Sequence, residues 1–299
     1  MAVRIFNNIT SLNAQRHLGI NNLRLAQSVE RVSSGLRINK AADDVAGLAI
    51  SEKLRSDIRV LQQGLRNLND GLSMVNVMEA ALNEQTDMVI RIRELAAQAA
   101  SATVGPTERA LLQVEVDGLI AEINRFATGA EFNGQRLLDG SLASLIVHFG
   151  VDATTNSQID LAAAAGLPAG QMIDMAFILT GTGSAAPVFP AVGVPTVITL
   201  DISSTQAAAQ AAIVTLDTAT DRIVGVRAGI ASAQNRFTRI INTQASVIEN
   251  LTAAESQIRD ADIAAEIALL TRNQILVEAA TAMVGQANLI PQSVLQLLG

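Results

Sequence analysis

A regular apolar rhythm in the second half of the chain limits the possible folds more than any other feature. From Ala212 to Ala268, apolar side chains recur at alternating steps of three and four residues, and Gln244 is the polar exception. A stripe with this spacing predicts long helices that pack side by side as a coiled coil. A polar residue within such a stripe often fixes the register between the two helices.

The first half of the chain carries a matching rhythm. Apolar residues at the same steps predict a helix over 44–102, which Gly105-Pro106 ends because Pro suits the first turn of a new helix. Further helices are predicted over 106–127 and over 204–255, the last with Ser204 as its N-cap. We expect the two long helices to pair with each other.

The segment 130–203 has a different character. Four of the six prolines lie in it, Asn133-Gly134 is a turn signal, and short apolar runs predict four strands. These strands are expected at 144–151, 157–162, 175–180 and 195–202. The predicted fold class is therefore mainly α: a long antiparallel coiled-coil bundle with a small β-hairpin insert.

Composition excludes several classes of function. The net charge of −7 argues against nucleic acid as a partner, and the absence of Cys removes thiolate chemistry and zinc–sulfur sites. No apolar run is long enough to predict a transmembrane helix. A G-x-G-x-x-A match at Gly181–Ala186 lacks the helix that a dinucleotide site needs, so it is interpreted as a loop. We expect no catalytic site, cofactor or metal.

The stretch Ser33–Ser51 interrupts the helical pattern. Gly35 suits the end of one helix, Asn39 lies in the connection, and Asp43 and Asp44 suit the first turn of the next helix. Two adjacent carboxylates also occur in metal and acid–base sites. No His or third carboxylate lies close in sequence, so a helix start is the favoured interpretation.

Longer segments at both ends of the chain resemble bacterial flagellin. They include RVSSGLRINKAADDVAGLAI and FNGQRLLDG in the first half, and IRDADIAAEIALLTRNQIL and ANLIPQSVLQLL near the end. The resemblance covers about residues 2–140 and 205–299. It implies a structural subunit of the flagellar filament, secreted without a cleaved signal peptide and assembled outside the cell for motility.

The resemblance also implies a layered subunit. Residues 1–40 with 259–299 would form an inner coiled-coil domain, and 41–258 an outer core domain. The segment with Gly35, Asn39, Asp43 and Asp44 would connect the two layers. Apolar stripes at both ends are expected to mediate inner-layer assembly, through Leu18, Leu25, Val29, Val32, Leu276, Ala280, Met283, Ala287, Ile290 and Val294.

Partners follow from the same resemblance. They are other copies of the chain in a helical homopolymer, an export chaperone, the flagellar export apparatus, and the filament cap and hook-junction proteins. Neither nucleic acid nor a membrane is expected as a partner. The chain is also similar to flagellins that a host Toll-like receptor recognises, and the matching positions are Arg91, Leu95 and Glu115. Arg91 and Leu95 are one helical turn apart, which predicts that they share a face.

Other structural proteins remain as alternatives. A hook–filament junction protein or a secreted helical translocator would also have helical termini, and a chemoreceptor-like bundle would share the heptads. Assembly of the purified chain into long filaments separates the first interpretation from these.

Overall fold

The computed structural model describes residues 8–138, 144–161 and 200–298. The chain forms two compact units. The terminal unit comprises 1–58 with 248–299, and the central unit comprises 59–247. The predicted domain boundaries, after residue 40 and before residue 259, stay a prediction.

Five long helices account for most of the described residues, which confirms the predicted fold class. Four short strands, β1 to β4, accompany them. The helices are α1 (Ile9–Ser34), α2 (Val45–Ala99), α3 (Pro106–Gly129), α4 (Gln206–Arg259) and α5 (Ile263–Leu298). The strands are β1 (Glu131–Phe132), β2 (Gln135–Arg136), β3 (Ile146–His148) and β4 (Gln158–Asp160).

In the central unit, α2 and α4 run antiparallel, as their apolar rhythms predicted. The Arg227 guanidinium donates to Glu79 at 2.8 Å, and Arg93 contacts Asp217 at 2.6 Å. Helix α3 returns along α2. The apolar seams of the three helices meet in one continuous core that includes the fully buried Leu82, Ile123, Ile223 and Phe237.

Two β-hairpins complete the central unit. The turn between β1 and β2 is Asn133-Gly134, as predicted, and both residues have positive φ, 52° and 77°. Such a turn suits a two-residue hairpin, because its backbone twist matches that of the strands. The second hairpin pairs β3 with β4 in antiparallel register, and Val147 and Ile159 are buried partners. Predicted strands 144–151 and 157–162 are thereby confirmed in shorter form.

Gln244 holds the second hairpin onto the helices. Its side chain is 5 % exposed, and its Nε2 donates to the carbonyl oxygens of Leu61 at 2.7 Å and Phe149 at 2.9 Å. Gly64 makes this approach possible, because a Cβ there would collide with the Phe149 carbonyl oxygen. Asn67 Nδ2 donates to His148 O at 2.9 Å. The polar exception in the seam therefore fixes the hairpin as well as the register of the helices.

Two local predictions were wrong. The N-cap of α4 is Thr205 rather than Ser204, because Thr205 Oγ1 accepts from Ala208 N at 3.1 Å. Residues 200–202 form no strand, since Gln113 bonds both to the carbonyl of Leu200 and to the amide of Ile202. The side chain of Gln113 on α3 thus makes the backbone hydrogen bonds that a neighbouring strand would have made. The predicted strand 175–180, the part of the predicted strand 195–202 before residue 200, and the Gly181–Ala186 loop lie outside the described residues.

Candidate interaction surfaces

The terminal unit contains a pair of antiparallel helices, α1 and α5, whose contact is partly polar. Ser28 Oγ accepts from Asn273 Nδ2 at 3.1 Å, and Ser11 Oγ donates to Asn288 Oδ1 at 2.7 Å. Both serines are buried. Asn8 caps α1 by accepting from the Ser11 amide, and its Nδ2 donates to Ala287 O at 2.7 Å.

The residues that face inward between α1 and α5 follow a regular rhythm. In each helix they are the buried and half-buried ones, at alternating steps of three and four, as a two-helix coiled coil requires. Small and polar side chains occupy many of these positions. The inward positions are Ser11, Ala14, Leu18, Asn21, Leu25, Ser28 and Val32 in α1, and Glu266, Leu270, Asn273, Val277, Ala280, Val284 and Ala287 in α5.

Many large apolar side chains of this pair point outward. Leu23 is 74 % exposed and Met283 is 65 % exposed. On α1, four of the exposed apolar residues are Ile9, Leu12, Ile20 and Leu23; at 100° per residue they lie on one face of the helix. On α5, exposed apolar residues include Ile267, Ile275, Met283 and Leu289. Large exposed apolar surfaces of this kind mark sites of protein–protein contact.

A second surface lies on the central unit, where α2 and α3 are adjacent. Arg91 donates through Nε and Nη2 to Glu115 Oε1, at 3.2 and 2.8 Å, and through Nη1 to Glu94 at 3.1 Å. These carboxylates raise the pKa of Arg91, chiefly through the hydrogen bond that Arg91 donates to Glu115. Leu111 and Val114 on α3 are well exposed. The surface therefore combines an ion pair with apolar side chains.

Comparison with known proteins decides the family. Residues 5–143 match the bacterial flagellin N-terminal helical region, and residues 213–298 match the bacterial flagellin C-terminal helical region. Flagellin FlaB2 of Treponema pallidum is 42 % identical over 98 % of this chain and 99 % of its own length.

This chain belongs to the bacterial flagellin family.

Other flagellins agree over the whole length. Flagellin of Bacillus subtilis is 38 % identical over 99 % of this chain and 100 % of its own. Among solved structures, one assigned to a flagellar hook-associated protein of Vibrio parahaemolyticus has a TM-score of 0.51, with 12 % identity over 73 % of this chain and all of its own. That likeness shows the fold alone. Membership of the flagellins rests on the sequence.

The predicted assembly residues of this flagellin divide between two faces. Leu18, Leu25, Val32, Ala280 and Ala287 lie in the inward rhythm between α1 and α5. Val29, Leu276 and Met283 are exposed. Met283 was expected in one seam with Ala280 and Ala287, but polar Asn273 and small Ala280 and Ala287 take the inward positions and turn Met283 outward. Ile290 and Val294 belong to α5, outside the residues whose side chains are described.

The connecting residues lie together within the terminal unit. Gly35 ends α1 with φ 72°, and its N–H donates to Arg31 O at 2.9 Å. Asp43 accepts from the amides of Lys40 and Asn39, which lower its pKa. Asp44 Oδ1 accepts from Gly47 N at 2.9 Å, which confirms a helix start. The two acids therefore serve the local backbone, and their role between layers stays a prediction.

Leu95 differs from its prediction. Arg91 and Glu115 come together on the surface, but Leu95 is 2 % exposed and belongs to the core of this flagellin. Residues four apart on a helix differ by about 40° in direction, and here the edge of the apolar seam falls between them. Leu95 therefore cannot act as an exposed apolar anchor.

Sequence reasoning missed the polar residues of the α1–α5 contact. A search for apolar periodicity passes over Ser11, Asn21, Ser28 and Asn273, although they keep the same steps of three and four as their apolar neighbours. Counting Ser and Asn as permitted seam residues would have found them.

Within 8–138, 144–161 and 200–298, no three His, Asp or Glu side chains are grouped as a metal ion would require. Across those same ranges, no helix has the length and hydropathy to cross a membrane.

Proposed function

We propose that this chain is a structural subunit that polymerises into a flagellar filament outside the cell, and that it is not an enzyme. Relatives of matching length are called flagellin or flagellar filament core protein, among them the 33 kDa core protein of Treponema phagedenis, 41 % identical over 98 % of this chain. The observation that carries the proposal is the outward apolar surface of α1 and α5. A folded chain with such a surface gains stability when other copies bury it.

Polymerisation of the purified chain tests this proposal. Leu23→Arg and Met283→Arg place a charge on the outward surface, which would be buried without a partner in a polymer. Both variants should fail to form filaments visible by electron microscopy. Asn22→Arg is the matched control, because it adds the same charge to α1 without replacing an apolar side chain. Filaments of normal yield from both Leu23→Arg and Met283→Arg would contradict the role of this surface.

The same assay separates the alternatives. A hook–filament junction protein or a translocator should remain short or oligomeric where a filament subunit grows into long filaments. In the source bacterium, deletion should remove filaments and motility. Intact filaments after deletion would make the chain a minor component.

An export chaperone that covers α5 is part of the proposal. Leu289, Met283 and Ile275 would otherwise stay exposed in the cytoplasm before assembly. Passage through the flagellar export apparatus, and contacts with the cap and hook-junction proteins, complete the proposed set of partners. Pull-down with the C-terminal helix against the Leu289→Arg and Met283→Arg variants tests the chaperone contact.

Recognition by a host Toll-like receptor is a second proposed activity, and the exposed Arg91–Glu115 pair beside Leu111 favours it. Arginine next to apolar side chains is a frequent composition of binding hot spots. A receptor reporter assay on monomer compares Arg91→Ala and Glu115→Ala with Arg125→Ala, a matched arginine that pairs with Glu122 elsewhere on α3. Only the first two should reduce signalling. Equal signals from all variants would remove this surface from the site.

A further inference from the structure

The contact between α1 and α5 combines apolar residues that tolerate a shift with polar residues that do not. Leu18, Leu25 and Val32 in α1 are similar apolar residues seven apart, and so are Val277 with Val284 and Ala280 with Ala287 in α5. Similar side chains at heptad spacing allow one helix to slide by seven residues, about 10 Å, with little change in apolar contact. Apolar packing alone therefore leaves the register of this pair open.

The polar contacts remove that freedom. Ser11–Asn288 and Ser28–Asn273 lie far apart along α1, and both hydrogen bonds form in the same antiparallel register. Asn21 Nδ2 also reaches Leu276 O, at 3.4 Å. A slip of seven residues would put Ala280 opposite Ser28. The buried serine hydroxyl would then lose its amide partner, which costs free energy.

We propose that the pairs Ser11–Asn288 and Ser28–Asn273 specify the register of the terminal helices, and thereby align the outward apolar residues of α1 and α5 into one surface for a second copy of this chain. Buried polar residues in coiled coils lower stability while selecting one alignment. The inference rests on the proposed polymerisation for its biological role, although the register itself can be measured separately.

The absence of native cysteine makes the register directly measurable. Ala14 lies one turn after Ser11, and Val284 lies one turn before Asn288, so Ala14→Cys with Val284→Cys reports the observed register. Leu18→Cys with Ala287→Cys reports the slip of one heptad that places Ala280 opposite Ser28. Oxidation is carried out under polymerising conditions on both the soluble and the pelleted fractions. Intramolecular products are identified by their monomeric mass on denaturing gels.

Each reporter pair is placed in three backgrounds. The first is the otherwise unchanged chain. The second is the apolar-seam variant, with Ser11→Ala, Ser28→Ala, Asn273→Leu and Asn288→Leu. The third is a swap, Ser28→Asn with Asn273→Ser, which keeps a hydroxyl facing an amide at this position. The swap controls for substitution at these sites as such.

The unchanged chain and the swap should favour the observed register at least tenfold over the slipped one. The apolar-seam variant should form both products within about threefold of each other, and its filament yield should fall although its helices pair. An undiminished preference in the apolar-seam variant, or none in the unchanged chain, would overturn the proposal. Failure of the proposed polymerisation would appear instead as an unchanged chain that forms no filaments, whatever the crosslinks show.

Discussion

The central and terminal units use the same heptad rhythm for opposite purposes. In the central unit, large apolar side chains such as Phe237 and Leu82 point into a closed core. In the terminal unit, Ser28 and Asn273 occupy inward positions while Leu23 and Met283 face outward. The comparison teaches that an apolar stripe on a helix can be buried within its own chain or remain exposed for contact with another chain. The choice depends on which face carries the large side chains.

The largest effect is expected from removing a core side chain of the central unit. Phe237→Ala should lower the free energy of unfolding by about 3–5 kcal/mol, because it leaves a cavity among α2, α4 and the β3–β4 hairpin. Leu23→Ala, on the exposed face of α1, should change monomer unfolding little. Urea denaturation of the two monomeric variants measures both losses. Equal losses would erase the contrast between the units.

Much of this contrast could be predicted from sequence. The rhythm from Ala212 onward predicted the inward face of α4, and Asn133-Gly134 predicted the turn that the structure shows between β1 and β2. The burial of Leu95 and the inward orientation of the polar residues of α1 could not be predicted. An apolar stripe shows that residues share a face of a helix. Whether a residue at the edge of that face is buried depends on the helix that packs against it. The need for glycine at position 64 comes from the carbonyl oxygen of Phe149, which is distant in sequence, so no local pattern predicts it.

A smaller effect is expected at Gln244, the polar exception inside the core. Gln244→Ala should cost roughly 1–3 kcal/mol, because the Phe149 carbonyl loses its donor and remains partly buried. Hydrogen exchange should rise in β3 and β4 but not in α3. Gln113→Ala is the control, since it releases the backbone of 200–202 instead. Faster exchange throughout the central unit would mean that Gln244 supports the whole core.

Acid should destabilise each unit partly by protonating a carboxylate whose pKa is lowered in the folded chain. The pKa of Asp201 is lowered to about 2, first by the Ser204 hydroxyl and then by Ser203. Backbone amides lower the pKa of Asp43. A lowered folded pKa adds stability that is present above about pH 4 and is lost as pH falls through the folded value. The free energy of unfolding, measured between pH 5 and 2, should depend less steeply on pH in Asp201→Asn for the central unit. The same is expected of Asp43→Asn for the terminal unit. An unchanged slope in either variant would show that its carboxylate is not linked to folding.

The smallest effect is expected at the surface ion pairs. Arg93→Gln removes the contact with Asp217, where both side chains are about half exposed. Water and salt screen such a pair, so the loss should be roughly 0.2–1 kcal/mol and should shrink as salt is raised. Thermal unfolding at low and high salt measures this. A loss as large as that of Phe237→Ala would contradict a core held mainly by apolar burial.

Hydrogen exchange on monomer and on assembled material tests the central claim most directly. Helices α1 and α5 bury few large apolar side chains, so their amides should exchange rapidly in the monomer at 9–34 and 263–298. In the polymer the same amides should become protected, while those around Leu82, Ile123 and Phe237 are protected in both states. Strong and equal protection of α1 and α5 in monomer and polymer would show that the terminal pair is already complete, and would contradict the account.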